Sequence, residues 1–336
     1  MVMVSGNVKP LLKISVVIAA YNRKKFLLAA VNSVLNQTLN DEYYEIIVIK
    51  NFKDDEINKK LGQSRVINIL DERSVPPLEL IQLGISASHN DIIAFLDDDD
   101  QFEKEKLETV FNAFNQVGGL VYYHCGFKQV DEMGNLIDNS KFDLGKLPNH
   151  PLIVDPPSYS DEIIYYDAGF NMSSICILKN AIEQDRFKRL KVNPDLFMLF
   201  SAMKHGGRLM IDDKVLTIRY VHQSNFSLNL GNRRESYVRQ YSETYYQILD
   251  MIKGREDLAK LLRIFMGWSI LRVHGINEDD KNLLWSDLLI LWRDRVPYLL
   301  KRKPAKVIVA LFTSMAILLK IINARLGRIV FRKFDF

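Results

Sequence analysis

Four consecutive aspartates, Asp97–Asp100, are the side chains of this 336-residue chain that are best suited to bind a metal ion. Packed together, four carboxylates repel one another, so they need a bound cation or must be partly protonated. Such oxygen ligands favour hard divalent ions, Mg²⁺ or Mn²⁺, and Mg²⁺ usually shares its coordination shell with substrate phosphates. An acidic turn at the start of a helix is the alternative, because aspartate is also favoured there.

The segments around these aspartates predict an α/β fold. Short runs rich in β-branched and other apolar residues predict four strands, at Ile14–Ala20, Glu45–Ile49, Arg65–Leu70 and Asp91–Leu96. Apolar residues at helical spacing predict helices between them, at about Lys25–Asn36 and Leu78–Ser88. Strands that alternate with helices in this way indicate a doubly wound domain with a mostly parallel sheet.

The position of the aspartates relative to the fourth strand favours the metal site over the acidic turn. In open α/β sheets, ligands bind outside the carboxyl ends of the strands. Asp97–Asp100 directly follow the strand that ends at Leu96. We therefore expect a ligand site in the loops after Ala20, Ile49, Leu70 and Leu96.

The chain changes character after Gly118. From there to about Phe226, short predicted strands alternate with loops rich in Pro, Asn and Asp, and such loops often form acceptor or partner surfaces. The strands are expected at Leu120–Tyr123, Ser174–Leu178 and Val215–Tyr220. Beyond about Arg233 the pattern is helical.

Two segments resemble family 2 glycosyltransferases. Ser15–Leu39, SVVIAAYNRKKFLLAAVNSVLNQTL, is similar to the opening strand, Y-N-R loop and helix of that family, and Phe95–Leu107, FLDDDDQFEKEKL, is similar to its D-x-D block. The resemblance extends over residues 13–226. It implies a GT-A fold and an inverting transfer of a sugar from a nucleotide-diphosphate sugar donor to a hydroxyl of a saccharide or lipid-linked glycan acceptor.

The resemblance also assigns the metal ligands. Asp97 and Asp99 match the two ends of the D-x-D motif, which holds Mn²⁺ or Mg²⁺ against the donor's phosphates, and Asp98 is expected near the ribose. Arg219–His222 resembles the family's R-x-x-H element, so His222 is expected to approach the ion or the diphosphate. A lone histidine is equally compatible with a structural role, and both interpretations of His222 stay open.

The same resemblance implies that the donor's nucleoside lies beside the first two strands. Ala19, Tyr21 and Arg23 fall in the donor-binding segment, and Tyr21 matches the aromatic residue that lies beside the nucleobase. Asn51 stands where the family usually has a base-reading aspartate. Because an amide both donates and accepts hydrogen bonds, a preference for uracil does not follow for this chain.

A second departure from the family concerns the cation near the diphosphate. Where the family has A-R-N, this chain has Leu80-Ile81-Gln82. Arg73, in the loop after the third strand, is the nearest arginine that we expect to replace it. Otherwise the bound metal ion must neutralise the leaving group without that arginine.

Asp195 is the expected catalytic base. The segment Asn193-Pro194-Asp195 stands where the family has Glu-Asp before a helix that ends in glycine, and here that helix is Leu196–His205. The alternative is an ordinary helix cap, because proline and aspartate are both favoured at the start of a helix.

The resemblance divides the chain at residue 230. Residues 1–230 are the expected GT-A catalytic domain, with a nucleotide half at 13–118 and an acceptor half at 119–230. Residues 231–336 are expected to form a helical C-terminal extension that ends in a basic, apolar tail.

The tail predicts an attachment to anionic membranes. Residues 301–336 contain nine basic residues and one acidic residue, a net charge of +8, while the whole chain carries +4. The basic residues flank the uncharged run Val307–Leu319, which favours a membrane surface over nucleic acid as the partner. At ~1.5 Å per residue the run is shorter than the ~30 Å hydrocarbon core, so we expect an interfacial helix rather than a span. A packed bundle or a homodimer contact is the alternative.

The cysteines and the N-terminus favour a cytoplasmic location. Cys125 and Cys176 are too few for a disulfide framework. Met1–Lys13 lacks the long apolar core of a secretory signal. We therefore expect a peripheral protein on the inner face of the cell membrane.

Other functions fit part of the pattern. A nucleotidyltransferase uses a similar fold and an acidic metal site, but it would need a glycine-rich phosphate loop, and the loop after Ala20 has no glycine. A dehydrogenase would need G-x-G-x-x-G there. A catalytically inactive sugar-nucleotide-binding module remains as an alternative, because Asn51 and Leu80–Gln82 depart from the family pattern.

Overall fold

The computed structural model describes most of the chain as far as Ile276. The described residues are 10–73, 75–137, 146–156, 159, 162–222, 234–276, 293–294 and 296–301. The chain divides into two compact units. The first unit comprises Met1–Ile153, Asn171–Gln184 and Gly207–Val221, and the second unit comprises Val154–Phe170, Asp185–Gly206 and His222–Phe336.

The strands of the described residues form one mixed sheet. They are β1 (Ile14–Ala20), β2 (Tyr44–Lys50), β3 (Val66–Leu70), β4 (Ile92–Asp97), β5 (Gln101–Phe102), β6 (Leu120–Asp131), β7 (Leu152–Val154), β8 (Ile175–Leu178) and β9 (Arg208–Val221). Their order is β3-β2-β1-β4-β8-β6-β9-β5, and β7 pairs with β9 beside this path. The first four strands in this order are parallel, whereas β8 is antiparallel to β4 and β6. The predicted α/β fold is confirmed.

Helices connect the strands and make up the described C-terminal region. They are α1 (Leu27–Leu35), α2 (Asp55–Gly62), α3 (Pro77–Ala87), α4 (Lys106–Gln116), α5 (Glu162–Tyr165), α6 (Gln184–Phe187), α7 (Pro194–His205), α8 (Arg234–Met251) and α9 (Glu256–Ile276). Short 3₁₀-helices lie at Asp41–Tyr43, Met172–Ser174 and Lys179–Ala181. The expected C-terminal helices are confirmed by α8 and α9.

The predicted strands at the start of the chain lie within one residue of β1–β4 at each end. Farther on, the predictions were too short, because Leu120–Tyr123 is only the beginning of β6 and Val215–Tyr220 only the end of β9. The helix α2 was not predicted, because Ile57 and Leu61 are its only buried residues. Its start is fixed by Asp54, whose side chain accepts a hydrogen bond from the Ile57 N–H at 3.0 Å.

The core of the first unit lies on both sides of the three central parallel strands. Val16 and Ile46 face one side of the sheet, Val17 and Ile47 face the other, and all four are buried. Strand β3 lies at the edge of the sheet, and Ile67 and Asn68 are exposed there. The central strands therefore give a rigid base to the loops at their carboxyl ends.

None of the described helices combines the length and the apolar character that a membrane span requires. The predicted interfacial run Val307–Leu319 lies outside the described residues.

Gly84 permits close packing of α3 on the central strands. A Cβ atom at Gly84 would lie 2.4 Å from Val17 Cγ1 and 2.6 Å from Ile49 Cδ1. By contrast, a Cβ atom at Gly62, the last residue of α2, would meet no atom within 4 Å.

Gly84→Ala should lower the free energy of unfolding by about 1–3 kcal/mol, because overpacking would displace α3 from the sheet. Gly62→Ala is the matched control, and it should cause no loss of stability because alanine is the better helix former. Urea-induced unfolding measures both changes. Equal destabilisation by the two substitutions would show that the packing at Gly84 is not the cause.

Candidate active site

The parallel register brings the ends of β1, β2 and β4 together. Ala19 lies directly beside Asp97, and Ala20 lies directly beside Lys50. The loop that follows β1 therefore starts next to the aspartates that follow β4, while Asn51 continues from the strand on the other side. The predicted grouping of these loops at one edge of the sheet is present in the structure.

Arg23 links the β1 loop to the aspartates. Its guanidinium donates to Asp98 Oδ1 and to Asp99 Oδ2, with one terminal nitrogen for each carboxylate. Asp98 and Asp99 are buried, whereas Arg23 is 28% exposed. A single partly accessible cation therefore compensates two buried carboxylates.

Burial makes the anionic form of these aspartates costly. It raises the pKa of Asp98 to about 7, even though the charge of Arg23 acts in the opposite direction. The pKa of Asp97 is raised to about 6 by burial and by the charge of Asp99, against the attraction of Arg23 and Arg219. The pKa of Asp100 also lies well above its usual range, chiefly because of burial. A bound cation would offset the cost of burying these carboxylates, so the cluster is suited to bind one.

Three of the aspartates could ligate one ion. Single carboxylate oxygens of Asp97, Asp99 and Asp100 all lie within 4.8 Å of one another. Three hard oxygen donors at this spacing fit Mg²⁺ or Mn²⁺. Asp97 and Asp99 were the predicted ligands, and the geometry adds Asp100 to them.

Asp98 offers a different feature. One of its carboxylate oxygens, Oδ1, accepts from Arg23, while the other, Oδ2, is buried and has no hydrogen-bond partner in the structure. A buried acceptor without a donor is costly. Asp98 Oδ2 therefore fits a ligand that brings its own hydroxyl or N–H donor.

Asp100 is held by the protein on both sides. Its Oδ2 accepts from Ser173 Oγ at 2.7 Å, and its Oδ1 accepts from the Tyr220 N–H at 3.2 Å. Sequence reasoning gave Asp100 no separate role and missed Ser173. No local pattern marks either contact, because their partners lie 73 and 120 residues away in the chain.

The β1 loop is fixed by a pair of asparagines. Asn51 Oδ1 accepts from the Asn22 N–H at 2.8 Å, and Asn51 Nδ2 donates to Asn22 Oδ1 at 3.0 Å. Asn22 has a left-handed backbone, with φ of 54°, which asparagine tolerates better than most residues. The pair therefore determines how the chain turns between Tyr21 and Arg23.

Arg73 is tied to its own loop. Its Nε donates to Asp71 Oδ1 at 2.8 Å and its terminal nitrogen donates to Asp71 Oδ2 at 2.6 Å. Asp71 directly follows β3, the edge strand, so two strands separate this end from that of β4. The expected role of Arg73 at the diphosphate stays a prediction.

Asp195 and His222 belong to the second unit. Asp195 lies in the first turn of α7, and its Oδ1 lies 3.0 Å from the Leu196 N–H. Asn193, two residues earlier, has a left-handed backbone with φ of 57°. Backbone strain of this kind is found at functional sites, which motivates the hypothesis of a functional role nearby. The role of Asp195 as the base stays a prediction.

His222 directly follows β9 and is buried. Its role as a ligand also stays a prediction.

Part of the chain matches a known protein family. Residues 15–149 match the model of the family described as glycosyl transferase family 2. An uncharacterised glycosyltransferase of Rickettsia bellii is 32% identical over 130 residues, which are 38% of this chain and 18% of that protein. The chain thus spans less than a fifth of that relative's length.

Two staphylococcal proteins match more of the chain. The poly(ribitol-phosphate) beta-N-acetylglucosaminyltransferase TarP of Staphylococcus aureus is 22% identical over 263 residues, 75% of this chain and 71% of TarP. A crystal structure of a TarS fragment from S. aureus in complex with UDP-GlcNAc covers 96% of this chain and 91% of its own, with a TM-score of 0.67 and 15% identity. At this identity the likeness establishes the GT-A fold.

Arg23→Met, measured with a metal chelator present, should lower the free energy of unfolding by about 3 kcal/mol, because two buried carboxylates would lose their counter-charge. Lys60→Met is the control, since it breaks an exposed pair with Glu56 that contributes less than about 1 kcal/mol. Denaturant unfolding measures both. A loss at Arg23 no larger than the control loss would contradict the compensating role of Arg23.

Proposed function

We propose that this chain, whose residues 15–149 match the model of glycosyl transferase family 2, transfers a sugar from a nucleotide-diphosphate sugar to an acceptor hydroxyl. The observation that carries this proposal is the group of Asp97, Asp99 and Asp100 at the carboxyl end of β4, beside the loop that follows β1. Asp97 is half-buried and the other two are buried. This edge of the sheet is where α/β folds bind nucleotides.

Asp97 and Asp99, with Asp100 beside them, would hold Mn²⁺ or Mg²⁺. When bound, such an ion supplies Lewis acidity that stabilises the charge of the departing nucleoside diphosphate. The protein's own residues orient the donor around it. Asp98 Oδ2, the buried acceptor without a partner, would receive a ribose hydroxyl, and Arg23 would present its partly exposed guanidinium to the phosphates.

The donor that we propose to test first is a UDP-sugar, because the TarS fragment with the same fold was crystallised with UDP-GlcNAc. Tyr21 would lie against the base. Asn51 keeps one N–H and one lone pair beyond its bonds to Asn22, so it can still contact the edge of a base. The proposed acceptor is a saccharide or lipid-linked glycan.

Asp195 is the proposed catalytic base for a single displacement. The acceptor hydroxyl would give its proton to the Asp195 carboxylate while its oxygen forms a bond to the anomeric carbon. The bond from that carbon to the diphosphate oxygen breaks, and the nucleoside diphosphate leaves with the electron pair. The configuration at the anomeric carbon is inverted. General base catalysis of this kind contributes about 10²–10⁴-fold to the rate.

Asp195→Asn should lower the rate of sugar transfer by about 10²–10⁴-fold, because an amide cannot take the proton. Nucleotide binding should stay at the wild-type level. Asp185→Asn is the control, since Asp185 is 92% exposed and pairs with Lys188 on the surface. Release of UDP from UDP-sugars with Mn²⁺ measures turnover.

The outcomes of this assay separate the functions. Full turnover by Asp195→Asn would show that another group is the base. Nucleotide binding by the wild type without release of UDP would identify an inactive sugar-nucleotide-binding module. Release of a sugar 1-phosphate instead of a nucleoside diphosphate would show attack at phosphorus and would identify a nucleotidyltransferase.

We also propose that residues 1–230 carry the catalysis. The basic tail of residues 301–336 is proposed to hold the protein on the cytoplasmic face of an anionic membrane.

Replacing Arg325, Arg328, Arg332 and Lys333 with glutamine should weaken binding to phosphatidylserine vesicles by about 100-fold or more, since each basic residue near such a surface contributes about 1 kcal/mol. Vesicle flotation measures binding, with phosphatidylcholine vesicles as the control. Unchanged flotation would refute attachment through these charges, and a dimer by light scattering would favour the homodimer.

A further inference from the structure

Ser173 contacts both ends of the turn Asp97–Asp100, here called the aspartate loop, through one hydroxyl. It is fully buried in the 3₁₀-helix Met172–Ser174, which directly precedes β8. Its Oγ accepts from the Asp97 N–H at 3.0 Å and donates to Asp100 Oδ2 at 2.7 Å. A hydroxyl has one donor and two acceptor positions, so it can make both bonds at once.

The loop is closed by two further bonds. The Asp100 N–H donates to the Asp97 carbonyl at 3.1 Å, and Asp100 Oδ1 accepts from the Tyr220 N–H of β9 at 3.2 Å. With the bonds to Ser173, the two ends of the Asp97–Asp100 turn are tied to each other, to β9 and to the segment before β8. Among these partners, only Ser173 uses a neutral side-chain group to contact both Asp97 and Asp100.

The peptide of Ser173 is itself held in place. Its carbonyl accepts from Lys106 Nζ and from Thr217 Oγ1, the latter at 3.0 Å. Lys106 is fully buried, donates also to Thr217 Oγ1 at 2.9 Å, and has its ammonium 4.0 Å from the centroid of the Phe102 ring. Burying an ammonium is costly unless its donors are satisfied, so this contact fixes Ser173 firmly.

We propose that Ser173 is a positioning residue that sets the carboxylates of Asp97 and Asp100 at the spacing a divalent ion requires. This inference rests on the proposed function, because it concerns the same metal site. The physical reason is the mutual repulsion of the carboxylates. A hydrogen bond to Asp100 Oδ2 offsets part of the repulsion and leaves the remaining lone pairs of Asp100 with a fixed direction. Without this hydrogen bond, the loop would relax and the carboxylate oxygens that ligate the ion would move apart.

Ser174 provides a matched control. It is also fully buried, it is the next residue in the chain, and its hydroxyl has no hydrogen-bond partner in the structure. Ser173→Ala and Ser174→Ala therefore remove the same atom from neighbouring buried positions, and only the first removes contacts with the aspartate loop.

The test is the affinity for Mn²⁺, measured by titration calorimetry on the full chain with saturating UDP. Ser173→Ala should raise the Kd for Mn²⁺ by about 10- to 100-fold, as expected when a group that orients a metal ligand is lost. Ser174→Ala should leave the Kd unchanged. In turnover assays, Ser173→Ala should raise the KM for Mn²⁺ more than it lowers kcat at saturating Mn²⁺.

Ser173→Cys is the second variant, for the case in which Ser173→Ala does not fold. A thiol is a weak hydrogen-bond donor of similar size, so this variant should give an intermediate Kd for Mn²⁺.

If the wild type binds no Mn²⁺, the proposed metal site fails and this inference fails with it. If the wild type binds Mn²⁺ and the Ser173 variants bind it equally well, only the positioning role is refuted. Equal losses of thermal stability in both alanine variants, with unchanged Kd values, would assign Ser173 a purely structural role.

Discussion

The repulsion among buried carboxylates at the end of β4 is the constraint on which the site depends. Burial raises the pKa of Asp97 to about 6 and that of Asp98 to about 7, so the neighbouring arginines offset only part of the cost of burying these carboxylates. Partners of the carboxylates in Asp97–Asp100 come from segments far apart in the chain, namely Arg23 after β1, Ser173 before β8 and Tyr220 on β9. Arg23 contacts Asp98 and Asp99, whereas Ser173 and Tyr220 both contact Asp100, so these partners meet only in the folded first unit.

The topology explains why these segments meet. A crossover from β1 through β2 and β3 to β4 leaves β4 beside β1, so the loop that carries Arg23 lies next to Asp97. The antiparallel β8 then returns along the other side of β4, and the turn before it reaches the same edge of the sheet with Ser173. The parallel half supplies the edge that carries Asp97–Asp100, and the segment before one antiparallel strand supplies Ser173, which contacts both ends of that turn. The mixed character of the sheet is therefore part of the chemistry.

The sequence predicted what is encoded locally. Runs of β-branched residues located β1–β4, and the charge of Asp97–Asp100 at a strand end located the site. It could not predict contacts whose partners are distant. Ser173 lies in a segment without a distinctive pattern, and Lys106 lies beside the D-x-D block without a local signal for its partners. The roles of both depend on hydrogen bonds that span 44 to 111 residues. Arg23 was predicted to bind the donor, but its pairing with Asp98 and Asp99 follows only from the adjacency of β1 and β4.

The asparagine at position 51 shows how a departure from a family pattern acquires a physical reason once its neighbour is known. An aspartate at this position could accept from the Asn22 N–H, but it could not donate to Asn22 Oδ1 as the Asn51 amide does. The reciprocal pair stabilises a left-handed residue between Tyr21 and Arg23. The side chain expected to read the nucleobase therefore also determines where Arg23 emerges from the loop. Since Arg23 contacts Asp98 and Asp99, Asn51 is connected to these aspartates through Asn22 and Arg23, and it thereby links the proposed base end of the donor site to its proposed phosphate end.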